Sequence, residues 1–278
     1  MSILLGIAAA IGIGLSDTFG RASARRNQSS ITHVITLMAF GTLVLLPFVL
    51  IVDSSFIFRD AVFGALSGVF VAMGLAILYR GLAVAPASVI APISAVVAIL
   101  LPLGWDLISG ASLGGVTIIG CVVAIIALVV VSFDPEQGEG EVRQGITLAV
   151  GAGLFFGLTF VFAGTTSQAS GAWPAVFNRG FGLVGILVLA LRQQVPLMLD
   201  SGVRKFGLAG GVAGALGMLS VILGTQIGSL GTVSVIAGSS PAVTVIAAAT
   251  FDGDRVHWWQ GIGVIGSIVG TALIALGS

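Results

Sequence analysis

Long apolar runs separated by short polar clusters make up almost the whole chain. Ten such runs follow one another, over residues 3–22, 31–52, 61–82, 87–107, 113–133, 146–168, 173–192, 206–228, 232–251 and 258–277. A helix needs about twenty apolar residues to cross a bilayer, so each run predicts one membrane-spanning helix. Three prolines, Pro86, Pro92 and Pro102, gather in or beside the fourth run, and Pro241 lies inside the ninth. A proline inside a helix frees a carbonyl and bends the axis, which is tolerated where a neighbour or a cavity satisfies the freed group. A cavity is therefore expected near Pro92–Ala95 and Gly238–Pro241.

The two proline-bearing runs belong to an internal duplication. Shifted by 146 positions, Ser88-Val89-Ile90-Ala91 falls on Ser234-Val235-Ile236-Ala237, Val97 on Val243, Asp106 on Asp252, Gly115 on Gly261 and Ile119-Gly120 on Ile265-Gly266. The opening runs of the halves correspond more weakly, Gly14-Leu15-Ser16 with Gly157-Leu158-Thr159. The acidic stretch Asp134–Glu141 divides the ten runs five and five. The chain thus reads as a first five-helix repeat over 1–133, an acidic linker over 134–145 and a second repeat over 146–278. A second copy of an odd-numbered unit enters the membrane from the opposite side, so the repeats are inverted. The fold class is an all-α membrane protein of ten transmembrane helices in two inverted five-helix repeats. That symmetry gives two faces of similar energy, the basis of alternating access.

Composition agrees with the pattern. Hydrophobic residues are 57% and charged residues 8%, far below the quarter typical of soluble domains. Eleven basic and eleven acidic residues cancel, which leaves no basic patch for nucleic acid. One cysteine, Cys121, excludes a disulfide framework and reads as a small apolar filler. The first run resembles a signal peptide, but no basic residue precedes it, so it is read as a retained span. The 41 glycines form small-xxx-small pairs such as Gly12/Ser16/Gly20, Gly64/Gly68, Gly207/Gly211 and Gly266/Gly270, which suit helices packed closely in lipid. Gly261, Gly263 and Gly266 spell GxGxxG. They lie inside a span, without the strand and acidic residue of a dinucleotide site.

Polar side chains within spans are the sharper signal, because each costs roughly 2.5–3.5 kcal/mol on insertion scales. They are Asp17 and Arg21, one turn apart; Tyr79 and Arg80; Asn178 and Arg179; and Gln226. Arg80 and Gln226 coincide at the 146 offset, which is read as a polar pair facing a shared interior. Ser94, Ser239 and Ser240, at the prolines, are candidate hydrogen-bonding residues of the cavity wall. The expected substrate site is therefore Tyr79, Arg80, Ser94, Asn178, Arg179, Gln226, Ser239 and Ser240, with Asp17 as the candidate coupling residue if transport is proton-driven, uniport and exchange being equally open. Two interior arginines against one aspartate point to an anionic or zwitterionic solute.

Together, "LYRGLAVAPASVIAPISAVVAILLP" in the first half and "GTVSVIAGSSPAVTVIAAATFDGDRVHWWQGIGVIG" in the second resemble the EamA family of the drug/metabolite transporter superfamily. "GLSDTFGRASARR" is similar to the opening of bacterial members. Asp254-Arg255 with Gln260 and Gly263 resembles the family's acidic-basic turn before its last helix, and Arg179 resembles its arginine early in the second helix of a half. The first half has neither feature. The resemblance implies a ten-helix secondary carrier of the plasma (inner) membrane, commonly an exporter of amino acids, other metabolites or drugs. Its partners are a small-molecule substrate and the lipid bilayer, with no nucleic acid, no cofactor and no metal, and the chain a monomer or homodimer. The sequence holds no catalytic constellation, so the chain is expected not to be an enzyme; a non-transporting scaffold or receptor is the alternative. Basic residues crowd the odd-numbered loops and their flanks, which the positive-inside rule places in the cytoplasm. The family resemblance implies the reverse, with both termini inside.

Overall fold

Ten helical spans form in the computed structural model, which describes residues 1–26, 29–85, 87–110, 113–132, 142–252 and 257–277. The first repeat contains α1 (Ser2–Ala24), α2 (Ser30–Leu45) with the one-turn extension α3 (Phe48–Ile51), α4 (Phe58–Val84), α5 (Ala87–Ile108) and α6 (Gly115–Ser132). The second contains α7 (Val142–Gly164), α8 (Trp173–Gln193), α9 (Arg204–Ile227), the pair α10 (Leu230–Ala237) and α11 (Ser240–Ala247), and α12 (Trp258–Gly277). Two expected boundaries move. Helix α7 starts at Val142, inside the expected 134–145 linker, and ends at Gly164 rather than 168. Thr165–Gly171 instead forms a polar loop against the first repeat.

Successive spans alternate in direction, so their ends collect on two faces. One carries Arg21, Arg25, Arg26, Arg80, Arg143, Arg192, Arg204 and Lys205 at helix ends, and is called the arginine-rich face. The other carries Met1 and Gly277, and is called the terminal face.

The halves do not sit side by side. All the extensive helix interfaces join one half to the other: α6 with α12, α1 with α9, α4 with α8 and α7, α5 with α7 and α10, α2 with α8 and α9, and α1 with α10 and α11. These pairs are exchanged by the inverted two-fold, and matching bonds mark it. Ser16 donates to the Gly210 carbonyl at 3.0 Å, and its mate Thr159 donates to the Ser67 carbonyl at 3.2 Å.

Glycines permit this interleaving. In lipid no hydrophobic drive pulls one helix against another, so association rests on close van der Waals contact between backbones. A Cβ on Gly12 would lie 2.7 Å from the Gly217 Cα, and one on Gly68 would lie 2.7 Å from the Gly182 nitrogen. Along α6 and α12, Gly263 abuts Val131, Gly270 abuts Ala124 and Gly120 abuts Ile274. Two glycines of the GxGxxG string, Gly263 and Gly266, are therefore helix-packing positions. Cys121 is buried with Ile99, Leu128 and Ile236 in an apolar cluster, as a filler should be.

The repeats differ most in their proline-bearing spans. Helix α5 runs unbroken through Pro92 and Pro102. The ninth span instead breaks at Gly238–Ser239, and Pro241 is the second residue of the new helix. There its missing N–H loses nothing, because first-turn donors have no intrahelical acceptor. Pro241 therefore starts a helix rather than kinking one. Beyond α11 a single π turn, Ala248–Asp252, closes the span.

Gly12→Leu is expected to lower stability by about 1–3 kcal/mol, the usual range for overpacking. Gly104→Ala, whose Cβ meets nothing within 4 Å, should leave it unchanged. Thermal unfolding of the purified variants in detergent measures both.

Candidate transport site

The two repeats enclose a polar cavity where α5 and α11 diverge. These helices belong to opposite copies: α5 packs closely on α10 towards the terminal face, whereas no comparable contact joins α5 to α11. The resulting wedge has a volume of about 480 Å3 and runs towards the arginine-rich face, where Ser132 ends α6 and Gln260 lies near the start of α12. Asp17 and Arg21 project into it from α1, Ser94 from α5, and Ser240 and Thr244 from α11. Its apolar walls include Leu78, Ala95 and Phe156. Ser94 donates to the Ala91 carbonyl at 3.1 Å. Thr244 donates to the Gly14 carbonyl at 3.1 Å, tying α11 to α1 just above Asp17. The cavity thus sets one carboxylate and one guanidinium, one turn apart, against hydroxyls and an amide.

Towards the terminal face the wedge is shut. Two buried carboxylates hold it there, each reaching from the first repeat to the second. Asp60, at the start of α4, accepts from the Ser167 amide at 2.9 Å and from the Ser167 hydroxyl. Asp106, near the end of α5, accepts from the Gly231 amide at 2.7 Å and from the Ser229 hydroxyl, at the N-terminus of α10. A carboxylate at a helix N-terminus gains from both the free N–H groups and the helix dipole. The loop between α3 and α4 adds two further bonds to the loop after α7: Ser55 N–H donates to the Ala169 carbonyl at 2.8 Å, and Ala172 N–H donates to the Ser54 hydroxyl at 3.0 Å.

Residues 143–276 match the model of the EamA-like transporter family. The second repeat is thus an EamA-family unit. One solved crystal structure aligns over 99% of this chain and 96% of its own, with a TM-score of 0.78 at 16% identity, a likeness that speaks to the fold alone. No curated protein matches the chain. Ten apolar helices, with a transporter-family match over the second repeat, make this a multi-pass membrane protein.

Of the residues expected at the EamA substrate site, the cavity contains Asp17, Ser94 and Ser240. The others lie outside its lining, each for a physical reason. Arg80 and Gln226 do not face a common interior, because inversion sends repeat mates near helix ends to opposite membrane faces. Arg80 is exposed near the arginine-rich face. Gln226 lies in the last turn of α9 at the terminal face, where its amide donates to Thr166, Ser170 and the Gly171 carbonyl at 3.2–3.3 Å. Asn178 donates to the Ser67 hydroxyl at 2.8 Å and so joins α8 to α4. Arg179 is buried where α2, α8 and α9 meet, donating to the Gly214 carbonyl and to the Met38 sulfur at 3.4 Å. Tyr79 packs with apolar residues of α2 and α8. Ser239, adjacent to Ser240, turns the other way, into an apolar groove between α1, α10, α11 and α12. Asp254 and Arg255 of the family-like turn lie outside the described residues.

Arg21, Thr244 and Gln260 line the cavity although the sequence reading did not place them there. The one-turn spacing of Asp17 and Arg21 was the available signal for the first. Asp60 has no signal in the sequence and Asp106 only that of a repeat match to Asp252, because both sit at span ends, where an acid looks like a boundary.

Cutting the closed face should open it. With Cys121 replaced by alanine, a cysteine at Ala91 should react with a water-soluble maleimide while one at Leu103 stays protected. Adding Asp106→Ala, which removes charged hydrogen bonds of about 1.5–3 kcal/mol each, should make Leu103→Cys reactive. Continued protection would show that Asp106 does not hold this face shut.

Proposed function

We propose that the chain is a secondary carrier that moves a small polar or amphipathic organic solute, of the amino-acid, metabolite or drug class, across the plasma (inner) membrane by alternating access. The observation that carries this reading is the polar wedge between inverted repeats, open towards one face and latched at the other. A scaffold has no use for a cavity that sets an acid on a membrane-spanning helix one turn from a base, where charged groups are costly.

Asp17 and Arg21 are the proposed binding pair, with Ser94, Ser240, Thr244 and Gln260 giving neutral hydrogen bonds. One acid and one base favour a zwitterionic solute. This narrows the anionic-or-zwitterionic expectation, since Arg179 is engaged in helix packing and Arg80 stands outside the wall. Asp17 is also the acid in the cavity lining that could carry a coupling proton.

Direction follows from charge. The positive-inside rule assigns the arginine-rich face to the cytoplasm. The wedge then opens inward and loads from the cell, which favours export. A reporter fused after residue 139 should read as cytoplasmic and one at the C-terminus as external; the opposite pattern would reverse the proposed direction.

In proteoliposomes, Asp17→Asn should reduce solute flux at least about tenfold, as expected from loss of a charged hydrogen bond worth about 1.5–3 kcal/mol. Arg80→Ala should retain flux near that of the parent. Arg179→Ala should instead lower the unfolding temperature, because its losses are contacts between helices. Unimpaired flux in Asp17→Asn would remove the cavity from the mechanism. Dependence of accumulation on a pH gradient, lost in Asp17→Asn, would identify proton coupling.

A further inference from the structure

A second cleft, distinct from the polar wedge, lies on the outer surface of the bundle between α4, α5 and α7. Its volume is about 660 Å3. It begins at the terminal face, where Arg59, Ile108 and Thr165 mark the membrane boundary, and descends to Leu100 and Leu158. Eight residues of α5 separate Ile108 from Leu100, which at 1.5 Å per residue is a depth of about 12 Å. The walls are apolar and aromatic, with Phe63, Trp105 and Phe162 among them. Gly104 opens the floor: a Cβ there meets nothing within 4 Å.

Arg59 gives the cleft its chemistry. Among the described residues it is the one lysine or arginine at the terminal face; the others lie at the opposite face or, like Arg179, in the interior. It is exposed, and its guanidinium is held in place from two sides. It stacks 4.9 Å above the Phe63 ring, and one N–H donates to the Thr165 carbonyl at a long 3.4 Å. A guanidinium has five N–H donors, so this bond leaves most of its fork for an anion at the membrane surface. The carbonyl that steadies it lies two residues before Ser167, the partner of Asp60 in the latch.

We propose that this cleft is a binding site for one anionic phospholipid, with the phosphate on Arg59 and an acyl chain along Phe63, Leu100 and Trp105 as far as Gly104. Charge complementarity selects the headgroup, and the apolar depth below it selects a chain-bearing molecule over a free phosphate. The occupied site abuts the Asp60–Ser167 latch, so the lipid steadies the closed terminal face.

The test uses the full-length protein in detergent, titrated with phosphatidylglycerol or phosphatidylcholine, with bound lipid counted by native mass spectrometry and unfolding followed thermally. Phosphatidylglycerol should bind saturably, at one copy, and raise the unfolding temperature more than phosphatidylcholine. Arg59→Gln should weaken phosphatidylglycerol about fivefold, as expected for one basic residue worth about 1 kcal/mol at a membrane surface, and abolish the headgroup preference. Gly104→Phe, which fills the cleft without touching Arg59, should remove the bound copy for both lipids, with Gly104→Leu as a milder second version. Arg143→Gln, on the opposite face, should behave like the parent. Equal affinity for the two lipids in the parent overturns the proposal, and so does retention of the bound copy in both Gly104 variants. Inorganic phosphate competing as well as the lipid would assign Arg59 to a free anion and also overturn it.

Discussion

Backbone contact between helices of opposite repeats is the constraint on which the rest of this structure depends. In the bilayer, two helices gain by approaching each other only as far as their side chains allow. Here glycine lets α1 reach α9, α4 reach α8, and α6 reach α12 with almost nothing between the backbones. Because each of these pairs spans the duplication, neither repeat has an interior of its own. The alternating access proposed above would therefore move interleaved helices rather than two rigid halves.

Where glycine contact between α5 and the ninth span stops, the proposed site begins. Helices α5 and α10 are pressed together at Gly231 and Gly238, which face Leu103 and Ile99. Past the break at Gly238–Ser239 the partner helix becomes α11, and the two copies separate around Asp17, Arg21, Ser94 and Ser240. The continuous α5 and the broken ninth span are the same element drawn twice, once straight and once jointed. The joint supplies a place where one copy can bend. In the proposed cycle, the bonds made by the carboxylates of Asp60 and Asp106 are those that opening the terminal face would break.

Much of this was legible in the sequence because it depends on length and parity. Charges at span ends mark off ten runs, and five is odd, so inversion follows without any side-chain detail. Of the stretches Pro92–Ala95 and Gly238–Pro241 where the prolines predict a cavity, Ser94, Ala95, Ser240 and Pro241 line the wedge, whereas Ser239 faces an apolar groove. The site was harder. Asn178 and Arg179 looked like substrate ligands because a polar residue in a span must have a partner. Their partners are the Ser67 hydroxyl and the Gly214 carbonyl, on helices that no sequence offset names. Asp106 was noticed as a repeat match to Asp252, but its chemistry appeared only when α10 was seen to begin beside it. Arg80 and Gln226 show the opposite hazard: a true coincidence in the alignment becomes a false contact unless the inversion is carried through to the membrane faces.

Alternation between two faces is the central claim, and distances report it most directly. Spin labels at Ala91 and Val245 span the wedge mouth, and a second pair at Ile108 and Gly228 spans the terminal face. Pulsed dipolar spectroscopy in lipid nanodiscs, with and without a transported solute, should show two populations that exchange in opposite senses: the first distance shortens as the second lengthens. Two distances that stay fixed under every solute, or that change in the same sense, would contradict the account.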